Sequence, residues 1–157
     1  MNLLGPAQIR ALAEKLDLKP TKKLGQNFVI DANICRKIVK LAQVNDSDIA
    51  LEIGPGLGSL TLALLEQAKQ VVAVEIDTRL ANQLPLTVTE QGFSNEKLIV
   101  LNEDAMALKH LDINPTVLVA NLPYNISVPV LLNILEYFPS ITRGVVMVQT
   151  EVAERLA

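Results

Sequence analysis

Short unbroken apolar runs alternate with stretches whose apolar residues recur every three or four positions, and this alternation organises most of the chain. Ile49-Ala50-Leu51, Val71-Val72-Ala73-Val74, Leu98-Ile99-Val100-Leu101 and Val117-Leu118-Val119-Ala120 are too short and too uniformly apolar for surface helices. They read as strands buried on both faces. Between them lie helical spacings such as Leu60, Ala63, Leu64 and Ala68. The pattern predicts strands at 49–53, 70–76, 97–102, 116–120 and 143–149, with helices at 59–68, 78–91 and 128–137. Ahead of them come a helix over residues 6–18, with Pro6 suited to its first turn and Pro20 ending it, and a second over 31–43. Alternating strands and helices imply an α/β fold with a parallel sheet covered on both faces. Right-handed crossovers, with a reversal after the third strand, give the order 3-2-1-4-5 and place a binding site above strands one and four.

Chemistry collects where the predicted strands end. Glu52-Ile53-Gly54-Pro55-Gly56-Leu57-Gly58 follows the first strand and reads as a glycine loop opening a helix. Its glycines let the backbone approach a ligand, and the helix start offers N–H groups to an anion. Glu75 closes the second strand about twenty residues beyond the first glycine, where an acid can accept from ribose hydroxyls. Ser59 stands where the dinucleotide fingerprint has its third glycine. A nucleoside ligand without pyrophosphate, such as S-adenosylmethionine, therefore fits as well as a nicotinamide cofactor or better. Asp104 follows the third strand and can accept from an adenine amino group, although a lone acid there is more often a helix cap. Asn121-Leu122-Pro123-Tyr124 follows the fourth, where the strand is expected to open into a loop. It combines an amide that accepts from a planar amine, a residue that fixes the backbone, and a ring on which a base can stack. Methylation of an exocyclic amino nitrogen requires such a set, and a turn with a buried anchor ring is the plainer alternative.

Lys23-Leu24-Gly25-Gln26-Asn27-Phe28, Glu52 to Thr61, Glu75, Asp104 and Asn121-Leu122-Pro123-Tyr124-Asn125-Ile126-Ser127, in that order, resemble the ribosomal RNA adenine N6-dimethyltransferase family. The resemblance runs from about residue 19 to the end and is closest to the small-subunit branch, with Leu122 and Pro129 favouring it over the large-subunit resistance methylases. It implies a Rossmann-like methyltransferase fold that binds S-adenosylmethionine and dimethylates two adjacent adenines near the 3′ end of that RNA. Asn27, Val29, Gly54, Gly56, Glu75, Ile76, Asp104, Ala105 and Asn121 would form the cofactor site. Asn121, Leu122, Pro123 and Tyr124 would act on the target base, with Asn121 and a backbone carbonyl of Leu122 or Pro123 accepting from its amino group. Family members continue through two more strands and a small helical RNA-binding domain. Glu151 to Ala157 reads as a helix just begun, so the resemblance implies a chain that stops before the final strands and leaves the fifth strand as an edge, open to self-association.

Charge refines this picture. The net charge is −3, which excludes a globally basic binder, yet residues 1–40 carry eight Lys and Arg against three acids and the remainder six against fourteen. We therefore divide the chain into a basic N-terminal helical arm, 1–45, and a core, 46–157, and assign RNA contact to Lys19, Lys22 and Lys23 beside the Asn27 motif. Aromatic residues make up 3 %, too few for a stacking platform along single-stranded RNA. Phe93, Tyr137 and Phe138 read as packing rings. Cys35, among Ile34, Ile38 and Leu41, reads as a buried apolar residue, and His110 has no partner at metal-ligand spacing, so no metal is expected. One cysteine and no membrane-length apolar run point to the cytoplasm. Two rivals come from other classes. A nicotinamide-dependent reductase would use the glycine loop and Glu75 but leave Asn121 to Tyr124 idle. A non-catalytic RNA-binding assembly factor would need only the basic arm.

Overall fold

The computed structural model describes residues 1–18 and 31–148. Five strands form one parallel sheet: β1 (Ile49–Ile53), β2 (Gln70–Val74), β3 (Leu98–Leu101), β4 (Val117–Leu122) and β5 (Arg143–Val148). Their order is β3-β2-β1-β4-β5, as the alternation predicts. Ile53 pairs with Val74 on one side and Ala120 on the other, which levels the carboxyl ends of the three central strands. The helices are α1 (Pro6–Lys15), α2 (Ala32–Leu41), α3 (Ser59–Gln67), α4 (Thr78–Glu90) and α5 (Tyr124–Tyr137).

Because strand side chains alternate, each strand serves both faces of the sheet. Ala50, Val71, Val117 and Val119 belong to a core with α2, α3 and α4, and Leu51, Ile53, Val72, Val74, Leu118 and Ala120 to a second with Val130 and Ile134 of α5 and Phe138, which caps that helix. Nearly every inner residue of the sheet is fully buried, which is why these strands read as continuous apolar runs. On α2, Cys35 and Ile38 are buried, but Ile34 and Leu41 face outward, 45 % and 72 % exposed. Phe93 and Phe138 are packed inside, whereas Tyr137 is 42 % exposed.

Most boundaries fall within a few residues of expectation, and three differences matter. The first helix stops at Lys15, and Asp17 adopts a left-handed turn (φ 54°). β2 ends at Val74, so Glu75 lies beyond the ladder at the mouth of the sheet. β4 continues to Leu122 and α5 starts at Tyr124 instead of 128, so Asn121 to Tyr124 form a direct strand-to-helix junction and not a loop. Pro123 makes the junction abrupt: its fixed φ (−59°) suits a helix entrance, and the residue before a proline favours extended backbone, as Leu122 adopts. Among the described residues no helix is long and apolar enough to cross a membrane.

Candidate functional site

The loop after β1 is shaped by glycines at positive φ: Gly54 (76°), Gly56 (56°) and Gly58 (101°). At Gly54 the requirement is steric as well, because a Cβ there would lie 2.5 Å from the backbone oxygen of Asn121. The loop thus presses against the end of β4. The amide of Gly54 donates to Val74 (3.0 Å) and that of Gly58 to Pro55 (3.0 Å), closing the turn. α3 then begins at an N-cap, Gly58, that has no side chain to cap the first N–H groups of the helix.

Glu75 faces this loop from the end of β2. One of its oxygens accepts from the Gly56 amide (3.1 Å) and the other from the Asp77 amide (2.9 Å), so the acid holds the glycine loop in place as well as facing the cavity. Burial lifts its carboxyl above the ordinary carboxylate range, opposed by these N–H bonds. Asn102, at the end of β3, donates to the carbonyls of Glu75 (2.9 Å) and Ile76 (3.2 Å) and accepts from Thr78 (3.0 Å), fixing the two strand ends together. Two residues on, Asp104 caps the short 3-10 turn Ala105–Ala107 by accepting from the Met106 amide (2.9 Å). It fills the capping role weighed against ligand binding, with one oxygen, while lining the cavity.

One cavity of about 210 Å³ lies between these strand ends. It is lined by Gly54 and Gly56 from the first loop, Glu75 and Ile76 from the second, Asp104 and Ala105 from the third, and Asn121, Leu122 and Pro123 from the β4–α5 junction. The site residues expected at four separate strand ends therefore meet around a single space. Ile53, Val74, Leu80, Glu103, Ile126 and Val130 complete the wall. The five apolar residues were not foreseen, because an apolar residue facing a cavity has the same sequence signature as one facing the core, and Glu103, exposed beside Asp104, reads as a solvated loop acid. At the junction, the Pro123 carbonyl already accepts from the Ile126 amide (3.2 Å), the opening bond of α5. Tyr124 is the first residue of that helix, and its side chain, like residues Lys19, Lys22, Lys23, Asn27 and Val29, lies outside what the structure describes.

Glu52 also escaped notice as a chemical group. It is 1 % exposed on the central strand and accepts a hydrogen bond from the hydroxyl of buried Thr61 on α3. Burial pushes its carboxyl up to about 8, the Thr61 bond opposes this, and the Glu75 charge adds to it. An acid inside an otherwise apolar strand was the available signal. The nearby Cys35 thiol is pushed up to about 12 by burial and then by the charges of Glu52 and Asp31, which makes it an unreactive core group. His110 pairs with Asp112 at the surface, 3.2 Å apart, and among the described residues no cluster of three His, Cys, Asp or Glu is placed to hold a metal.

The family model described as ribosomal RNA adenine dimethylase matches residues 18–157. A ribosomal RNA small subunit methyltransferase A from Corynebacterium diphtheriae is 62 % identical over 99 % of this chain and 53 % of its own length. The chain spans about half the length of the curated relatives it matches. Among solved structures, a dimethyladenosine transferase from Plasmodium falciparum superposes with a TM-score of 0.66 at 37 % identity, covering 81 % of this chain and 45 % of that one. The 23S rRNA methyltransferase ErmE gives 0.67 at 30 % identity, covering 80 % and 49 %.

Proposed function

Because the chain belongs to the ribosomal RNA adenine dimethylase family, we propose that it carries the cofactor site and target-base motif of an enzyme that dimethylates N6 of two adjacent adenines near the 3′ end of small-subunit ribosomal RNA. The small-subunit assignment draws on the name shared by relatives 55–62 % identical to it. The observation that carries the reading is the convergence of Gly54, Glu75, Asp104 and Asn121 on one cavity at the carboxyl ends of the strands.

S-adenosylmethionine fits these residues. Gly54 keeps the loop free of side chains at the closest approach, Glu75 and Asp104 set acceptors at two corners, and apolar Ile53, Ile76 and Val130 supply walls for a purine. We assign Glu75 to the ribose hydroxyls, Asp104 to the adenine amino group, and Asn27, Val29, Gly56, Ile76 and Ala105 to the rest of the enclosure. When bound, this cofactor supplies a methyl group already activated on a positively charged sulfur. The protein has then to hold the target amine in line with it. Asn121 accepts from the target's amino hydrogens together with the carbonyl of Leu122, which is favoured over that of Pro123 because the latter already serves Ile126. Tyr124 stacks on the unstacked base, and water receives the proton released between the two additions.

Lys19, Lys22 and Lys23, in a basic arm of residues 1–45 ahead of the core, contact RNA. No metal takes part. The enzyme works in the cytoplasm during ribosome biogenesis. β5 forms an edge of the sheet over the described residues and, with the exposed Val128, Leu132 and Leu135 on α5, supports self-association of the chain.

Calorimetric titration of the chain with S-adenosylmethionine, S-adenosylhomocysteine and a nicotinamide dinucleotide tests the site. Binding of the first two alone is the expected outcome, and binding of the dinucleotide alone, or of none, refutes it. In a protein extended to the length of its relatives, Asn121→Ala should lower methylation by about 10²-fold with cofactor binding retained. Unchanged methylation would remove Asn121 from the reaction.

A further inference from the structure

Asn133 lies one turn beyond Val130 on α5 and is 7 % exposed. Its Nδ2 donates to the carbonyl oxygens of Ala105 (3.1 Å) and Leu108 (2.9 Å), which bracket the short turn after Asp104. Its Oδ1 accepts from the Lys109 ammonium, which also sits 4.3 Å from the centre of the Tyr137 ring. The orientation of this amide is therefore determined. An ammonium only donates, so it faces the oxygen, and the NH2 is left to face the two carbonyls. Turning the amide over would set oxygen against two oxygens and nitrogen against a cation.

The turn held this way fixes the Asp104 carboxylate, because one Asp104 oxygen accepts from Met106 (2.9 Å) and the Asp104 carbonyl accepts from Ala107 (2.9 Å). The same helix opens at the Asn121 to Tyr124 junction and gives Ile126 and Val130 to the cavity wall. We propose that Asn133 is a positioning residue that hangs the Asp104 turn from α5 and so sets the register between the carboxylate reading the base of the cofactor and the motif holding the target adenine. Resting on the assignment of Asp104 to the cofactor's amino group, it makes discrimination of that amino group depend on a side chain that touches neither ligand.

The experiment compares binding of S-adenosylhomocysteine with S-inosylhomocysteine, in which the amino group is replaced by oxygen, to the wild-type chain, Asn133→Leu and Lys109→Met. Wild type should prefer the adenosyl ligand, Asn133→Leu should lose about tenfold of that preference, and Lys109→Met, which keeps the amide's two carbonyl partners but removes the cation that anchors its oxygen, about threefold. A purely structural role would weaken both ligands alike and leave their ratio unchanged. Should Asn133→Leu fail to fold, the surface variant Lys109→Met decides by itself, and an unchanged ratio in it overturns the proposal. A wild-type chain that binds both ligands equally also overturns it while sparing the site, whereas one that binds neither removes the reading of the cavity and the proposal together.

Discussion

A carboxyl group with 1 % of its surface exposed in the middle of a parallel sheet is costly to ionise, and among the described residues the hydroxyl of Thr61 is what offsets the cost for Glu52. Its carboxyl rises from 4.5 to about 8 on folding, mainly through burial. Between those values the folded chain holds a proton that the unfolded chain has released, so stability falls as pH rises. The contribution is fully present below about 4.5 and lost as pH passes through about 8. Glu75, also raised by burial, acts in the same direction. Cys35 on α2, Asp31 at its cap and Glu75 at the end of β2 are the titratable groups whose interaction with this cluster is seen, and none supplies a counter-charge. Glu52→Gln keeps an acceptor for Thr61 but cannot ionise. Urea denaturation should show wild type losing on the order of 3 kcal/mol relative to this variant between about pH 5 and about pH 9. Parallel profiles would mean that Glu52 is already charged in the fold.

Among the elements, the glycine loop makes the sharpest demand on sequence. A Cβ at Gly54 would meet the backbone oxygen of Asn121 at 2.5 Å, on a strand end that cannot retreat without unpairing from β1 and β5. A Cβ at Gly58 would meet Leu84 Cδ1 at 2.7 Å, the tip of a side chain that can rotate. Both positions carry positive φ, so both pay backbone strain, but only Gly54 adds an immovable clash. Gly54→Ala should therefore lower stability by about 2–4 kcal/mol and Gly58→Ala by about 1–2 kcal/mol, read from denaturant midpoints. The reverse order would show that the β4 end yields. The loop, the strands and their order were legible in the sequence because fully buried parallel strands and glycine turns leave local signatures. The start of α5 was not. Pro129 lacks the N–H that would bond to Asn125, and Pro123 and the polar residues after it resemble a loop, so the helix seemed to begin at 128. Packing of Val130, Ile134 and Phe138 against the sheet overrides that local preference. Asn133 stayed hidden for a related reason: its partners Ala105 and Leu108 are remote in sequence, and an amide on a helix does not announce which backbone it serves.

Taken as a whole, the molecule separates its chemistry from its fastening. All cavity-lining strand ends are carboxyl ends, whereas the amino ends of β1, β4 and β5 are joined by one polar cluster. Asp48, 4 % exposed, accepts from the Asn45 amide (2.8 Å) and the Thr116 hydroxyl (2.7 Å) and pairs with Arg143. Arg143 also donates to the carbonyls of Ala42 and Gln43 (both 2.9 Å), tying the end of α2 to β5. Against the raising effect of burial, the bonds from Asn45, Thr116 and Arg143 hold the Asp48 carboxyl below its ordinary value. For an acid depressed in this way the stabilisation is present above its unfolded value and lost as pH falls through the folded one, opposite in sign to Glu52. Removing one partner leaves a buried charge without its counter-ion, which is more damaging than removing both. Arg143→Met should accordingly lower stability by about 3 kcal/mol, with Asp48→Asn/Arg143→Met less destabilised than the sum of the two single changes. Since this cluster lies at the opposite end of the strands from the cavity, affinity for S-adenosylhomocysteine, measured at a temperature where the variants stay folded, should be unchanged within about twofold. A large loss of affinity in folded Arg143→Met would show that the two ends of the sheet are coupled, and that the cavity's geometry depends on the register of β5 against β4.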